Sequence, residues 1–280
     1  MTDPRSFSSA PWPPLLRGSL LLHIAAAASV LARPSWWRAA LAAVIADHLL
    51  ITAAGLWPRS ALLGPNWVHL PAAAGTAAVA LTFDDGPDPE VTPQVLALLA
   101  AHAVPATFFC IGERVARYPQ LARAIVAQGH TLGNHSYRHS VAFSLLGPQA
   151  QRADVQRSQE VIRQTTGTTP EFFRAPAGLR NVFLTPVLVR ADLQLVSWTR
   201  RGFDTVTTDP ARVLRALTRN LRGGDILLLH DGHAARTAAG RPVLLEVLPW
   251  LLAAIAGAGL VPITLQAARA AAAAHTVATA

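Results

Sequence analysis

From Gly75 onwards, short apolar runs of strand length alternate with helical stretches, and this alternation restricts the chain to a parallel α/β architecture. The runs read as strands are 78–83, 107–111, 131–133, 172–174, 193–198, 226–230 and 260–265. Between them 92–102, 113–128, 148–165, 181–190, 210–221 and 243–256 read as helices, several opening on Thr, Asn or Pro and closing near Gly. A closed barrel and an open doubly wound sheet share this pattern. Polar residues help to decide between them. Five strands lead into residues foreign to a plain core: Asp84-Asp85, His135 with His139, Arg174, Asp204 beyond Trp198, and His230-Asp231. In a parallel barrel the carboxyl ends of all strands lie on one face, where these scattered positions converge.

Residues 1–60 differ in kind. The apolar stretch 19–32 spans only about 21 Å of a hydrocarbon core about 30 Å thick, whereas 36–56 is long enough to cross it. A two-helix hairpin anchor is expected, with a cleaved signal peptide at 1–32 and a soluble helix pair covering the body as alternatives. Arg38, Asp47 and His48 are costly in lipid, so His23, Asp47 and His48 are expected to pair between the helices. Trp36, Trp37 and Trp57 stand where interfacial aromatics belong. The expected organisation is a membrane anchor of one or two helices over 1–60, a linker over 61–76, a catalytic domain over 77–266 and an Ala-rich tail over 267–280.

The 24 basic residues are all Arg and exceed the 16 acidic ones, a net charge of +8 that favours acidic partners over basic ones. No basic run interleaved with aromatics points to nucleic acid, so none is expected as a partner. Cys110, the single cysteine, reads as a buried small hydrophobe and does not reveal the redox compartment.

Two adjacent carboxylates at Asp84-Asp85 repel each other, and a bound cation offsets that repulsion. A solvated Asp-Gly-Pro turn explains the dipeptide alone equally well. His135 and His139, four residues apart, fall on one face of a helix or its leading turn. With one carboxylate they make a three-ligand site suited to Zn²⁺, Co²⁺, Ni²⁺ or Fe²⁺, with positions left open for water. The same spacing also arises by chance on surfaces. His130 reads as structural, and His69, His102 and His275 fit no pattern. His230 ends a strand too apolar to hold an imidazole unless it emerges into a polar site, and its ordinary pKa suits proton transfer. Arg174 and Asp204 carry charges suited to holding an acidic base and a basic acid.

Thr82-Phe-Asp-Asp-Gly-Pro87, His135-Ser-x-x-His139, Arg174-x-Pro176-x-Gly178, Asp204 and Leu228-x-His230 resemble, in order, the five motifs of the NodB-like polysaccharide deacetylases, carbohydrate esterase family 4. The resemblance implies a distorted (β/α)7 barrel that hydrolyses N-acetyl groups of hexosamine glycans, such as chitooligosaccharide, peptidoglycan or poly-N-acetylglucosamine, and releases acetate. It implies that Asp84 is the general base and His230 the general acid, with a divalent metal, Zn before Co or Ni, on Asp85, His135 and His139. Arg174 then orients Asp84, Asp204 tunes His230, the Ala177 N–H stabilises the oxyanion and Leu228 lines the acetyl pocket. Three positions depart from the usual pattern: Ala177 replaces an aromatic, Thr205 replaces a Trp after Asp204, and Ser140 replaces a Pro. Trp198 is the candidate to restore the missing apolar wall. The resemblance is silent on residues 1–60; substrates of this kind lie outside a bacterial membrane, which puts the catalytic domain on the periplasmic or exterior side. The rivals are a same-fold deformylase or amidase acting on a lipid-linked amino sugar or another small amide, and an inactive membrane-tethered glycan-binding protein.

Overall fold

The structure is a computed structural model describing residues 12–279, with side chains described to Thr276. Residues 1–11 of the N-terminal segment, and Ala280 of the tail, lie outside the described residues. The described chain opens with α1 (Pro14–Ala32) and α2 (Trp37–Leu56), joined by a 3₁₀ turn at Pro34–Trp36. Neither helix confines its apolar residues to one stripe, and no residue of α1 and only Ala54 and Gly55 of α2 are buried. The pair therefore does not cover the body. Both helices are long and apolar enough to cross a membrane. Their polar groups turn toward each other: the Ser19 hydroxyl donates to Asp47 Oδ2 at 2.6 Å, and the Nε2 atoms of His23 and His48 lie 3.3 Å apart.

The body follows as β1 (Ala78–Asp84), α3 (Thr92–Ala101), β2 (Thr107–Cys110), α4 (Gly112–Arg117), α5 (Pro119–Ala127), β3 (Thr131–Asn134), α6 (Pro148–Thr166), β4 (Phe172–Phe173), α7 (Leu184–Arg190) and β5 (Gln194–Leu195). It continues with β6 (Arg200–Arg201), α8 (Pro210–Thr218), β7 (Ile226–His230), α9 (Val243–Gly257), β8 (Val261–Pro262) and α10 (Leu265–Thr279). The strands pair in the order β5-β4-β3-β2-β1-β7-β6, β8 adds to the start of β1, and every pairing is parallel. This is the expected parallel barrel, incompletely closed. One strand was not expected: β6 consists of two arginines and shows itself only through its pairing with β7.

Strand alternation sorts the side chains. Val79, Leu81 and Phe83 of β1, with Leu227 and Leu229 of β7, pack outward into the core shared with α3, α5, α6, α8 and α9. Ala78, Ala80, Phe109 and Ile226 face inward to a second, smaller core. The same alternation carries Thr82, Asp84, Leu228 and His230 into the interior, toward the carboxyl end. α10 closes the other end, burying Leu265 and Ala268 in the inner core and donating the Leu265 N–H to Thr107 Oγ1 at 3.1 Å.

No pairing joins β5 to β6. Residues 67–70, inside the expected linker, run through the gap: Trp67 N–H donates to Leu195 O at 2.9 Å, Ser197 N–H to Trp67 O at 2.8 Å and Leu70 N–H to Gly224 O at 2.8 Å. Thr199 Oγ1 adds a bond to Val68 O at 2.6 Å. The same connection ties α2 to the body. Arg180 N–H donates to Gly55 O at 3.1 Å, Ser197 Oγ donates to Pro58 O at 2.6 Å, and the Arg180 guanidinium donates to Ser60 O.

Candidate active site

β1 and β7 are in register at their carboxyl ends, with Asp84 opposite His230. Paired residues on adjacent strands present their side chains to the same face, so a carboxylate and an imidazole enter the open end of the barrel side by side. Arg174, at the end of β4, is almost fully buried and makes four hydrogen bonds: to Asp84 Oδ1 at 2.7 Å, Thr82 Oγ1 at 2.8 Å, Val196 O at 3.2 Å and Ser197 O at 2.8 Å. Its guanidinium carbon lies 4.1 Å from the centre of the Phe109 ring. Gly133 is required beneath that ring, because a Cβ there would collide with it. A buried ion pair with every guanidinium nitrogen hydrogen-bonded fixes the direction of Asp84.

Asp204 grips His230 twice, accepting its backbone N–H at 2.7 Å and facing Nδ1 at 2.9 Å. A carboxylate can only accept, so Nδ1 carries the hydrogen and Nε2 is left to face the site. Burial alone would lower the His230 pKa; the Asp204 charge and hydrogen bond, helped by Asp84 and Asp85, outweigh it and raise the value above the ordinary one.

Beside this pair lie Asp85, His135 and His139, whose ligand atoms all fall within 4.8 Å of one another. Asp85 Oδ1 sits 3.3 Å from His135 Nε2 and 3.2 Å from His139 Nε2, yet it is buried without a hydrogen-bond partner. His135 Nδ1 faces the Arg174 carbonyl at 2.8 Å, so Nδ1 carries a hydrogen and Nε2 points at Asp85; burial would lower the His135 pKa, but Asp84 and Asp85 outweigh it and raise the value, and a bound cation would take the place of the Nε2 proton. Burial and the neighbouring His135 push His139 down to about 4, which leaves it neutral at pH 7 with its own lone pair available. Two imidazole nitrogens and an orphaned carboxylate oxygen converging on one point fit a divalent cation. Burial would raise Asp85, but His135, His233 and His139 outweigh it and hold the carboxyl well below its usual range.

The backbone is bent to reach this geometry. Asp85, Ser136, His139, Ala177 and His233 all have φ between 49° and 72°, a region rare for non-glycine residues. The end of β3 is clamped by Asn134, whose side chain donates to Val155 O and Gln159 Oε1 and accepts the Ser136 N–H, while Ser136 Oγ accepts the His139 N–H at 3.0 Å. Ala177 is exposed in a 3₁₀ turn whose own hydrogen bonds come from Gly178 and Leu179. Gly178, at φ +73°, packs its bare Cα against Trp198 and Pro58. Trp198 is buried beside Arg174, and Leu228 lies in register with Thr82.

All the residues singled out in the motifs thus gather at one end of the barrel. Thr205 is partly exposed next to the buried Asp204. His130 lies outside the site, with Nδ1 accepting the Ala106 N–H at 3.2 Å and its ring against Phe108. His69 is at the closing segment, 4.0 Å from Asp225. Sequence reasoning passed over His233, whose Nδ1 is 3.4 Å from Asp85 Oδ2 and whose Nε2 accepts from Arg114 at 3.1 Å. Its signal was proximity alone, a third residue beyond His230. Asp231 was left without a role; it is fully buried, accepts from Thr92 Oγ1 at 2.5 Å and presses against Gly86.

A parallel barrel whose open end holds a His/His/carboxylate trio beside a carboxylate and an imidazole defines the class: a hydrolase with room for a metal ion. The comparisons narrow it. A polysaccharide deacetylase family model matches residues 72–196. The chain is 35% identical over 189 residues to a chitooligosaccharide deacetylase of a Bradyrhizobium species, covering 65% of this chain and 86% of that one. It is 35% identical over 175 residues to a peptidoglycan-N-acetylglucosamine deacetylase of Bacillus cereus, covering 62% of this chain and 81% of that one. Among solved structures it matches a family 4 acetyl xylan esterase from Clostridium thermocellum bound to cobalt, at TM-score 0.61 and 31% identity over 68% of this chain and 89% of that one. The chain belongs to the polysaccharide deacetylase family and is an enzyme of that family.

Proposed function

We propose that the chain removes N-acetyl groups from N-acetylhexosamine units of a glycan, releasing acetate and a free amino sugar. The observation that carries this is the register of Asp84 with His230 across β1 and β7, with a cation-ready trio beside them. Deacylating an amine needs a base to activate water and an acid to protonate a poor leaving group, and the two strands deliver one of each.

Asp85, His135 and His139 are the residues that would hold a divalent ion, with Zn²⁺ best suited to two imidazoles and one carboxylate and Co²⁺ or Ni²⁺ also accommodated. When bound, it would supply Lewis acidity toward water and the acetyl carbonyl. Asp84, held by Arg174, takes the proton from the attacking water. The Ala177 N–H donates to the oxygen that gains charge. His230 delivers its Nε2 proton to the departing nitrogen while Asp204 stabilises the imidazolium. Leu228 and Trp198 form the apolar surroundings of the acetyl methyl. His233 orients Asp85 by facing its second oxygen.

The glycan classes that fit are those on which the relatives act, chitooligosaccharide and peptidoglycan, together with poly-N-acetylglucosamine. The organisation in this reading is a membrane hairpin within 1–60 and a catalytic domain facing away from the cytoplasm, in which 77–266 is completed by residues 67–70 of the connecting segment and by α10. The test is acetate release from N-acetylated chitooligosaccharide, peptidoglycan and poly-N-acetylglucosamine by chelated enzyme given Zn²⁺, Co²⁺ or Ni²⁺ in turn. Acetate from at least one glycan, dependent on metal, is expected. Metal-loaded protein that releases none from any of them overturns the proposal.

A further inference from the structure

Resting on the deacetylase reading above and on α1 and α2 lying in a bilayer, we propose that the catalytic face is itself apposed to the membrane, and that the enzyme takes its N-acetylated sugar from a lipid phosphate carrier whose phosphate is received by Arg201.

The first ground is where α2 ends. Its last turn does not lead into a free tether: Gly55 O is bonded to the Arg180 N–H, and Pro58 packs on Gly178 and accepts from Ser197. These partners follow β4 and β5 at the carboxyl end of the barrel, the face that holds the site. Arg180 is three residues from Ala177, so at full extension the Ala177 amide lies within about 14 Å of the end of α2. The polar layer of a bilayer leaflet is itself several Å deep. Bonding at this seam fixes the site at the height of lipid headgroups.

The second ground is the surface around the mouth. Outside the hairpin, the three most exposed large apolar side chains are Val141 at 91%, Leu145 at 84% and Val206 at 75%; Phe203 and Phe183 are exposed on the same face, while Trp250 on α9 and Val261 on β8 are exposed elsewhere. The first five stand on loops that leave the carboxyl ends of β3, β4 and β6. Exposed apolar residues on neighbouring loops of one face mark an interaction surface, and the helices tied to that face at Arg180 are themselves apolar and exposed. A lipid surface is the occupant that covers both.

The third ground is an unpaired cation in the mouth. Arg201 is in register with Leu228, and Leu228 with Thr82, whose hydroxyl meets Arg174 inside the barrel. Arg201 therefore projects to the inner face. Its guanidinium lies over the rings of Trp198 and Phe203 at 5.7 and 5.2 Å. Its Nε is buried without a partner, and no carboxylate pairs with it among the described residues. A planar fork held on aromatic faces beside the acetyl pocket matches phosphate oxygens.

The test uses the full chain in phosphatidylcholine vesicles and three probes: N-acetylglucosamine on polyprenyl diphosphate in the same bilayer, UDP-N-acetylglucosamine, and chitotetraose. Acetate release gives kcat/KM for each. The lipid-linked sugar is expected to be the best substrate and the neutral oligosaccharide the poorest. Arg201→Gln should lower the ratio of lipid-linked to neutral by about 10- to 100-fold, the range of one charge-assisted hydrogen bond, and Arg201→Lys, which keeps the charge but loses the stacked planar fork, should restore only part of it. The double variant Val141→Asp/Leu145→Asp should lower the same ratio. Equal kcat/KM on lipid-linked and neutral substrates, or a ratio untouched by Arg201→Gln, overturns the proposal and leaves the deacetylase reading intact. UDP-sugar turnover as fast as the lipid-linked form overturns the membrane source, as does a ratio that falls in the double variant only through loss of self-association. Acetate from none of the three overturns both readings.

Discussion

Asp84 and Asp85 are neighbours in sequence with opposite assignments, and the structure gives each its own surroundings. Asp84 is tied to Arg174; Asp85 offers an orphaned oxygen to two imidazoles. Asp84→Asn is therefore expected to keep stoichiometric metal by elemental analysis while kcat falls by about two to four orders of magnitude, the usual share of a general base. His139→Ala should lose metal and activity together. Asp204→Asn isolates the other end of the reaction. The Asp204 charge is what raises the buried His230, so its removal lets burial dominate, and the basic limb of the kcat–pH profile should move to lower pH. A limb that stays in place would assign it to another group. The positions of these residues were readable because each motif couples a chemically distinctive residue to a strand end. His233 and Arg201 were not readable, because their meaning comes from what they face: Asp85 in one case, the rings of Trp198 and Phe203 with no acidic partner among the described residues in the other.

Among the elements, β1, β2 and β7 stand out in the sequence as apolar runs buried on both faces, as parallel strands between a helical layer and a barrel interior must be. β6 left no such trace, since its alternate arginines serve different sides: Arg200 pairs with Asp225 at 2.5 Å and Arg201 turns inward. Residues 67–70 were equally hidden, because they complete the barrel by pairing with partners more than a hundred residues away. Their contribution can be measured. A chain beginning at Ala72 lacks the four hydrogen bonds of that segment, each worth about 1 kcal/mol net, and should melt well below one beginning at Trp57, at roughly 2–4 °C per kcal/mol for a domain of this size. Equal melting temperatures would reduce the segment to a passive connection.

At the scale of the whole molecule, stability and the site share a buried acid. Burial, aided by the charges of Asp85 and Asp84, pushes Asp231 up to about 7 against the Thr92 hydrogen bond. Between its unfolded value near 4 and this folded one, the native state keeps a proton that the unfolded chain has released, so metal-free protein loses stability as the pH rises through that window. Asp231→Asn should remove the loss, and thermal melts of chelated protein from pH 4 to 8 would show the two curves diverging as the pH rises. The barrel's closing segment has a consequence in time as well. Trp67 leaves the ribosome long before Leu195 and Ser197, so the first stave to be made is among the last to find its neighbours. Contacts of such sequence separation form late and slowly. Until they form, the strands on either side of the gap have open edges.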